Sequence, residues 1–132
     1  MRIPRATRRV VVALAASGAV SAAVLGATMA SASASTIPYQ HVEVCAQGNY
    51  TAWAEFPTRG GFETTAIAPG TCWYQAMPPF GATGSEPVNV YGVWNTDPGQ
   101  SFYIGTEYYN PEVSGIGIGA EGVTTSPYLW TW

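Results

Sequence analysis

Lysine is absent from this chain of 132 residues, histidine occurs once, and only 10% of the residues are charged. A serine or cysteine nucleophile needs a base within hydrogen-bond reach, and histidine or lysine usually supplies it. With His41 the single such group after the N-terminal segment, hydrolases of both kinds are disfavoured. His41 shares a strand face with Glu43 and Cys45 and reads as a structural histidine. Cysteine is limited to Cys45 and Cys72. Two thiolates with no neighbouring histidine do not make a four-ligand zinc site, so neither a metal nor a cofactor is expected. Positive charge is equally scarce. Beyond residue 34, Arg59 alone faces eight acidic residues, a net charge of about −7. Such a surface repels phosphate backbones and anionic lipid, which disfavours nucleic-acid binding and membrane adsorption.

The other four arginines, Arg2, Arg5, Arg8 and Arg9, precede an apolar run from Val10 to Met29 that ends in Ala30-Ser31-Ala32-Ser33-Ala34. Basic residues, an apolar stretch and a ladder of small residues are the pattern of a secretory signal, here residues 1–34. The run is rich in alanine, serine and glycine and poor in leucine, which favours cleavage over membrane anchoring. The remainder, 35–132, is about 98 residues, the size of one domain. Export places both cysteines in an oxidising environment, and an even count predicts a Cys45–Cys72 disulfide.

After residue 34 no helical period bounded by caps occurs, whereas short β-prone runs alternate with turn residues. The runs are His41–Ala46, Tyr50–Phe56, Phe62–Ala68, Thr71–Ala76, Val88–Asn95, Ser101–Tyr109, Val113–Ala120 and Tyr128–Trp132. Pro57-Thr58-Arg59-Gly60-Gly61, Pro69-Gly70, Asp97-Pro98-Gly99, Asn110-Pro111 and Ser126-Pro127 punctuate them. Alternation puts Val88, Val90 and Trp94 on one face, opposite Asn89, Tyr91 and Val93. The next run repeats this, with Phe102, Ile104 and Thr106 opposite Ser101, Tyr103 and Glu107. One apolar face per strand predicts an all-β fold, a small antiparallel two-sheet sandwich, with a small closed β-barrel as the alternative.

Met77 to Glu86, with two prolines and two glycines, reads as a loop carrying Phe80. Gly115, Gly117 and Gly119 alternate with Ile116 and Ile118, but no helix follows, so this is not a phosphate loop. Alternating glycines leave one strand face bare, to be covered by aromatic side chains of the protein or by a ligand. Asn49-Tyr50-Thr51 is formally a glycosylation sequon. Paired carboxylates for glycoside cleavage are available in number among Glu55, Glu63, Asp97, Glu107, Glu112 and Glu121. They lie beside turns or on exposed strand faces, and a domain this small has little room for a substrate cleft. The chain reads as a non-enzyme.

Five tryptophans, eight tyrosines and four phenylalanines exceed what a core of this size absorbs. Surplus tyrosine and tryptophan give large, rigid contact area at low entropic cost. Trp53, Tyr91, Tyr103, Tyr108 and Tyr109 are the binding candidates, because parity sets several of them opposite the apolar face. Arg59, in the Pro57–Gly61 turn, is the candidate for entering the active site of an extracellular hydrolase.

The runs Val44-Cys45-Ala46-Gln47-Gly48-Asn49-Tyr50, Val90-Tyr91-Gly92, Phe102-Tyr103-Ile104-Gly105 and Gly115-Ile116-Gly117-Ile118-Gly119 resemble small secreted proteins of actinomycete type, a likeness that implies no activity. A weaker similarity is to the small disulfide-bonded β-sandwich amylase inhibitors. Those carry a Trp-Arg-Tyr turn and two disulfides; this chain has neither, so the resemblance implies no amylase target. The expectation is a secreted, extracellular, monomeric recognition protein whose aromatic-rich surface binds a protein or a glycan. The alternative is an inhibitor of an extracellular hydrolase acting through Arg59.

Overall fold

A computed structural model describes residues 35–80 and 84–132; residues 1–34, expected as a signal segment, lie outside them. Eight strands follow in order: β1 (His41–Ala46), β2 (Ala52–Phe56), β3 (Phe62–Glu63), β4 (Cys72–Ala76), β5 (Glu86–Trp94), β6 (Asp97–Tyr109), β7 (Ile116–Val123) and β8 (Ser126–Thr131). The one helical element among the described residues is a 3-10 turn, Pro57–Arg59. The strands form two separate four-stranded sheets, β4-β1-β7-β8 and β3-β2-β5-β6. The fold is therefore a sandwich, and neither sheet closes into a barrel.

Period-2 patterning sets the core. Val42, Val44 and Ala46 of β1 and Ile116, Ile118 and Ala120 of β7 face Ala52, Ala54 and Phe56 of β2 and Val88 and Val90 of β5, all buried. One pairing departs from the antiparallel expectation: β1 lies parallel to β7. The chain between them visits the other sheet, and so long a connection lets two strands meet in the same direction.

Element ends shift where local hydrogen bonds compete with the ladder. The run Phe62–Ala68 keeps only two strand residues. Thr64 still pairs with Ala54 and Ile67 with Ala52, but Thr65 and Ala66 together oppose Trp53. Two residues against one is a bulge, which ends the regular ladder. Before β7, the Asn110 carbonyl accepts from the amides of Val113 and Ser114 and its side chain accepts from the amide of Glu112, so these residues turn. Asp97-Pro98-Gly99 and Ser126-Pro127 lie inside strands; their register partners run to Trp94↔Asp97 and Val123↔Ser126. Proline is admitted there because β6 and β8 are edge strands.

A second bulge changes the face assignment of β6. Tyr91 pairs with Tyr103, yet Val90 pairs with Gly105, leaving Ile104 as an extra residue. Parity reverses beyond it. Thr106 joins Tyr103 on the outer face, and Glu107, in register with Val88, turns to the inner side.

The glycine row of β7 is covered from within the protein. Gly117 lies against the Trp132 indole and Gly119 against the Gln47 side chain, so any larger residue at Gly117 collides with the ring.

Cys45 and Cys72 are directly opposite in β1 and β4, and their disulfide holds the edge strand at a Cα–Cα distance of 4.0 Å. With a sequence separation of 27, the chain-entropy effect is about 3 to 4 kcal/mol. The Cys45→Ser, Cys72→Ser double variant is expected to lose that much in urea unfolding. In hydrogen exchange, its earliest loss of protection is expected in β4.

Candidate functional site

The outer face of β3-β2-β5-β6 carries two cross-sheet rows fixed by register. One is aromatic: Trp53 opposite Tyr91 opposite Tyr103. The adjacent one is polar: Glu63 opposite Glu55 opposite Asn89 opposite Thr106. Each row takes one residue from each strand it crosses, and directly opposed side chains in a sheet are in contact range. Without the Ile104 bulge, Tyr103 and Thr106 would point to opposite faces and only one of the two rows could extend onto β6.

Trp53 and Tyr91 stack face to face, with centroids 4.3 Å apart and planes at 11°. Tyr103 meets Tyr91 edge-on at 5.6 Å and 62°. The rings therefore stand up from the sheet and lean on one another.

Hydrogen bonds stitch the rows together with one direction. Thr106 donates its only hydroxyl proton to Asn89 Oδ1 at 2.6 Å. Tyr103, 2.6 Å from Thr106 Oγ1, must then be the donor in that bond. Asn89 Nδ2 donates to Glu55 Oε2 at 3.2 Å, and the Tyr91 hydroxyl reaches the same oxygen at 3.4 Å. Donors thus converge on Glu55 Oε2, and Oε1 accepts no hydrogen bond among the described residues. Partial burial, then the Glu55 charge and hydrogen bond, raise the Tyr91 phenol above its usual pKa and keep it a donor.

Glu55 and Glu63 are directly opposite one another. Like charges so placed are mutually destabilising. Among the described residues no ion pair involves either.

The remaining sequence candidates divide. Tyr108 is on the same outer face, in register with Pro87, and 65% exposed. Tyr109 is a correction. It has the same parity as Tyr103 in sequence, but the bulge turns it inward, where it is 4% exposed and its hydroxyl has no hydrogen-bond partner. Burial raises its pKa.

Arg59 is a second correction. It is not presented at a loop tip. Its Nε donates to Glu86 Oε2 at 2.8 Å, and its Nη2 to Glu86 Oε1 and to the Met77 carbonyl, both at 3.2 Å. The two side chains are 9% and 1% exposed. Arg59 lines a groove of about 290 Å³ at the β3/β4 flank together with Phe62, Met77, Pro78 and Phe80.

Aromatics that the sequence reading passed over occupy the other sheet's outer face. Tyr74, Tyr128 and Trp130 are each at least half exposed there. The alternation Tyr128, Trp130, Trp132 was the available signal. His41 stacks on Tyr74 at 5.1 Å and its Nδ1 bonds the Tyr39 carbonyl, a structural arrangement. The cluster Glu43, Cys45 and Cys72 has both sulfurs in the disulfide, so it offers no thiolate to a metal.

Two measurements follow. Arg59→Ala leaves Glu86 as a buried unpaired charge and is expected to cost about 3 to 5 kcal/mol in unfolding free energy. Arg59→Met with Glu86→Leu is expected to recover most of that. Tyr50, buried and donating to the Glu121 carbonyl at 2.6 Å, has its pKa raised to about 12 by burial, with Glu121 and Tyr128 adding to the shift. A folded pKa above the unfolded value of 10.0 stabilises fully below pH 10 and progressively less up to about pH 12. Urea midpoints between pH 9 and 12 are expected to fall, and Tyr50→Phe to flatten that fall.

No protein-family model matches the chain, and no curated protein matches it. Among solved structures it is similar to the crystal structure of the human-specific toxin intermedilysin, with a TM-score of 0.46 and 17% identity, over 70% of this chain and 22% of that one. The chain thus corresponds to less than a quarter of that toxin, and a likeness at this level carries no argument about function.

Proposed function

We propose that this protein is a secreted, non-enzymatic recognition module, acting as a monomer, and that its ligand, a protein or a glycan, docks on the outer face of β3-β2-β5-β6. The observation that carries this reading is the aromatic row Trp53–Tyr91–Tyr103, set in register beside a polar row on a sheet face that no other strand of the described residues covers. A packed sheet face needs no aromatics on its solvent side. Three in contact, with Tyr103 57% exposed, supply rigid contact area at low entropic cost. The hydrogen bonds from Tyr103 and Tyr91 into the polar row hold the rings before any ligand arrives, which lowers the ordering cost of binding.

Export fits the same reading. The disulfide suits an oxidising compartment, and among the described residues no helix is long and apolar enough to cross a membrane. The N-terminal segment has the signal pattern, and kinship with small secreted actinomycete-type proteins belongs to this proposal.

Co-sedimentation with cellulose, chitin and bacterial cell wall, together with pull-down of extracellular proteins, tests it. One ligand class is expected to deplete the native protein from solution. Trp53→Ala and Tyr103→Ala are expected to weaken that depletion roughly tenfold while the thermal midpoint stays near native. Binding unaffected by either variant would remove this face from the mechanism.

A further inference from the structure

We infer that the ligand of this face is cationic: an arginine-bearing segment of a basic protein partner, whose guanidinium forks to Glu55 and Glu63 beside the edge of the half-buried Trp53 indole. This rests on the recognition reading above and narrows it to one chemistry.

The first ground is charge. Glu55 and Glu63 oppose each other across β2 and β3. Arg59, the only Lys or Arg after residue 34, is bonded to Glu86 and to the Met77 carbonyl. The pair thus keeps a repulsion that an incoming cation relieves, and guanidinium is the cation whose planar fork fits two carboxylates at once. Asn89 and Tyr91 hold Glu55 through Oε2, so Oε1 is available without rearrangement.

The second ground is ring geometry. Trp53 has one ring partner, Tyr91 on β5, stacked at 11°. On the β3 side the regular strand ends at Glu63, and the bulged Thr65 and Ala66 are exposed. An indole beside two carboxylates is a setting in which a planar cation gains ring and ionic contacts together.

The same geometry disfavours a sugar chain as occupant. Sugars stack on ring faces, and here Tyr91 gives one face to Trp53 and meets Tyr103 edge to face. Rings engaged with one another in this way leave no run of bare faces for successive sugar rings.

Fluorescence anisotropy with a labelled Gly-Arg-Gly-Arg-Gly peptide tests the assignment, against a counterpart in which neutral citrulline replaces arginine. The arginine peptide is expected to bind, and the citrulline peptide to bind at least roughly tenfold more weakly. Glu55→Gln with Glu63→Gln, and separately Trp53→Ala, are expected to lower affinity by roughly tenfold, with near-ultraviolet circular dichroism confirming the fold. Glu43→Gln with Glu121→Gln removes the same charge from the other sheet and is expected to change affinity less than about twofold. Equal losses in the two double variants would reduce the effect to net charge and overturn the site, as would equal binding of citrulline and arginine. If the arginine peptide fails while a neutral polysaccharide is held through Trp53 and Tyr103, the cation assignment falls and the recognition face stands. If peptide, polysaccharides and extracellular proteins all fail to bind through this face, the recognition reading falls with it.

Discussion

The buried pair between Arg59 and Glu86 is the interaction on which both the shape and the chemistry of this protein depend. It joins three separate pieces of chain: the 3-10 turn after β2, the first residue of β5, and the Met77 carbonyl just after β4. The first two belong to one sheet and the third leaves the other. The flank where β3 and β4 fail to pair is thereby tied by polar contacts where it lacks a backbone ladder. Burial of two charges is costly unless they are paired and bonded, and this pair has a two-pronged contact plus a backbone acceptor. Its second consequence is electrostatic. By drawing the single cation after residue 34 inward, it leaves the outer faces with carboxylates and no compensating charge.

Two bulges do for the outer face of β3-β2-β5-β6 what the ion pair does for the flank. A regular strand has a period of two, and a strict period cannot set Tyr103 and Thr106 on one side. The extra residue at Ile104 does so, and it also brings Gly105 to the inner side, where Leu129 of β8 packs against it. One irregularity thus completes both rows outside and seats β8 against β6 inside. After β3, the bulge at Thr65 and Ala66 interrupts the ladder beside Trp53, between the bonds that join Thr64 to Ala54 and Ile67 to Ala52. Bulges next to binding surfaces are features that re-aim side chains, and both of these do.

The two outer faces then differ in kind. On β4-β1-β7-β8 the glycines of β7 let the Trp132 indole and the Gln47 side chain settle on the backbone, so the middle of that sheet is sealed by its own residues. On β3-β2-β5-β6 the middle strands carry Trp53, Glu55, Asn89 and Tyr91, which project outward and engage one another. Aromatic content alone does not distinguish the faces, since Tyr128 and Trp130 are well exposed on the first. The distinction lies in the ordered polar row and in the direct opposition of Glu55 and Glu63 within it.

Much of this was legible in the amino-acid order because it is local. Alternation located β1 and the inward Val88 and Val90, turn residues separated the strands, and an even count of two cysteines named the Cys45–Cys72 disulfide. Strand periodicity and disulfide pairing of two cysteines need no knowledge of distant neighbours. The rest was decided by pairing partners far away in sequence. Tyr109 shares the parity of Tyr103 and still turns inward, because the bulge is visible only against β5. Arg59 has the flanking proline and glycines of a surface turn, and its side chain is drawn inward because Glu86, 27 residues on, reaches it. Glu55 and Glu63 become a charged pair, and Glu55, Asn89 and Thr106 a row, only through register. Composition and period determined that this chain is an all-β, disulfide-bonded domain with surplus aromatics; only tertiary pairing decided which side chains share a face, because register is a relation between strands and no single strand contains it.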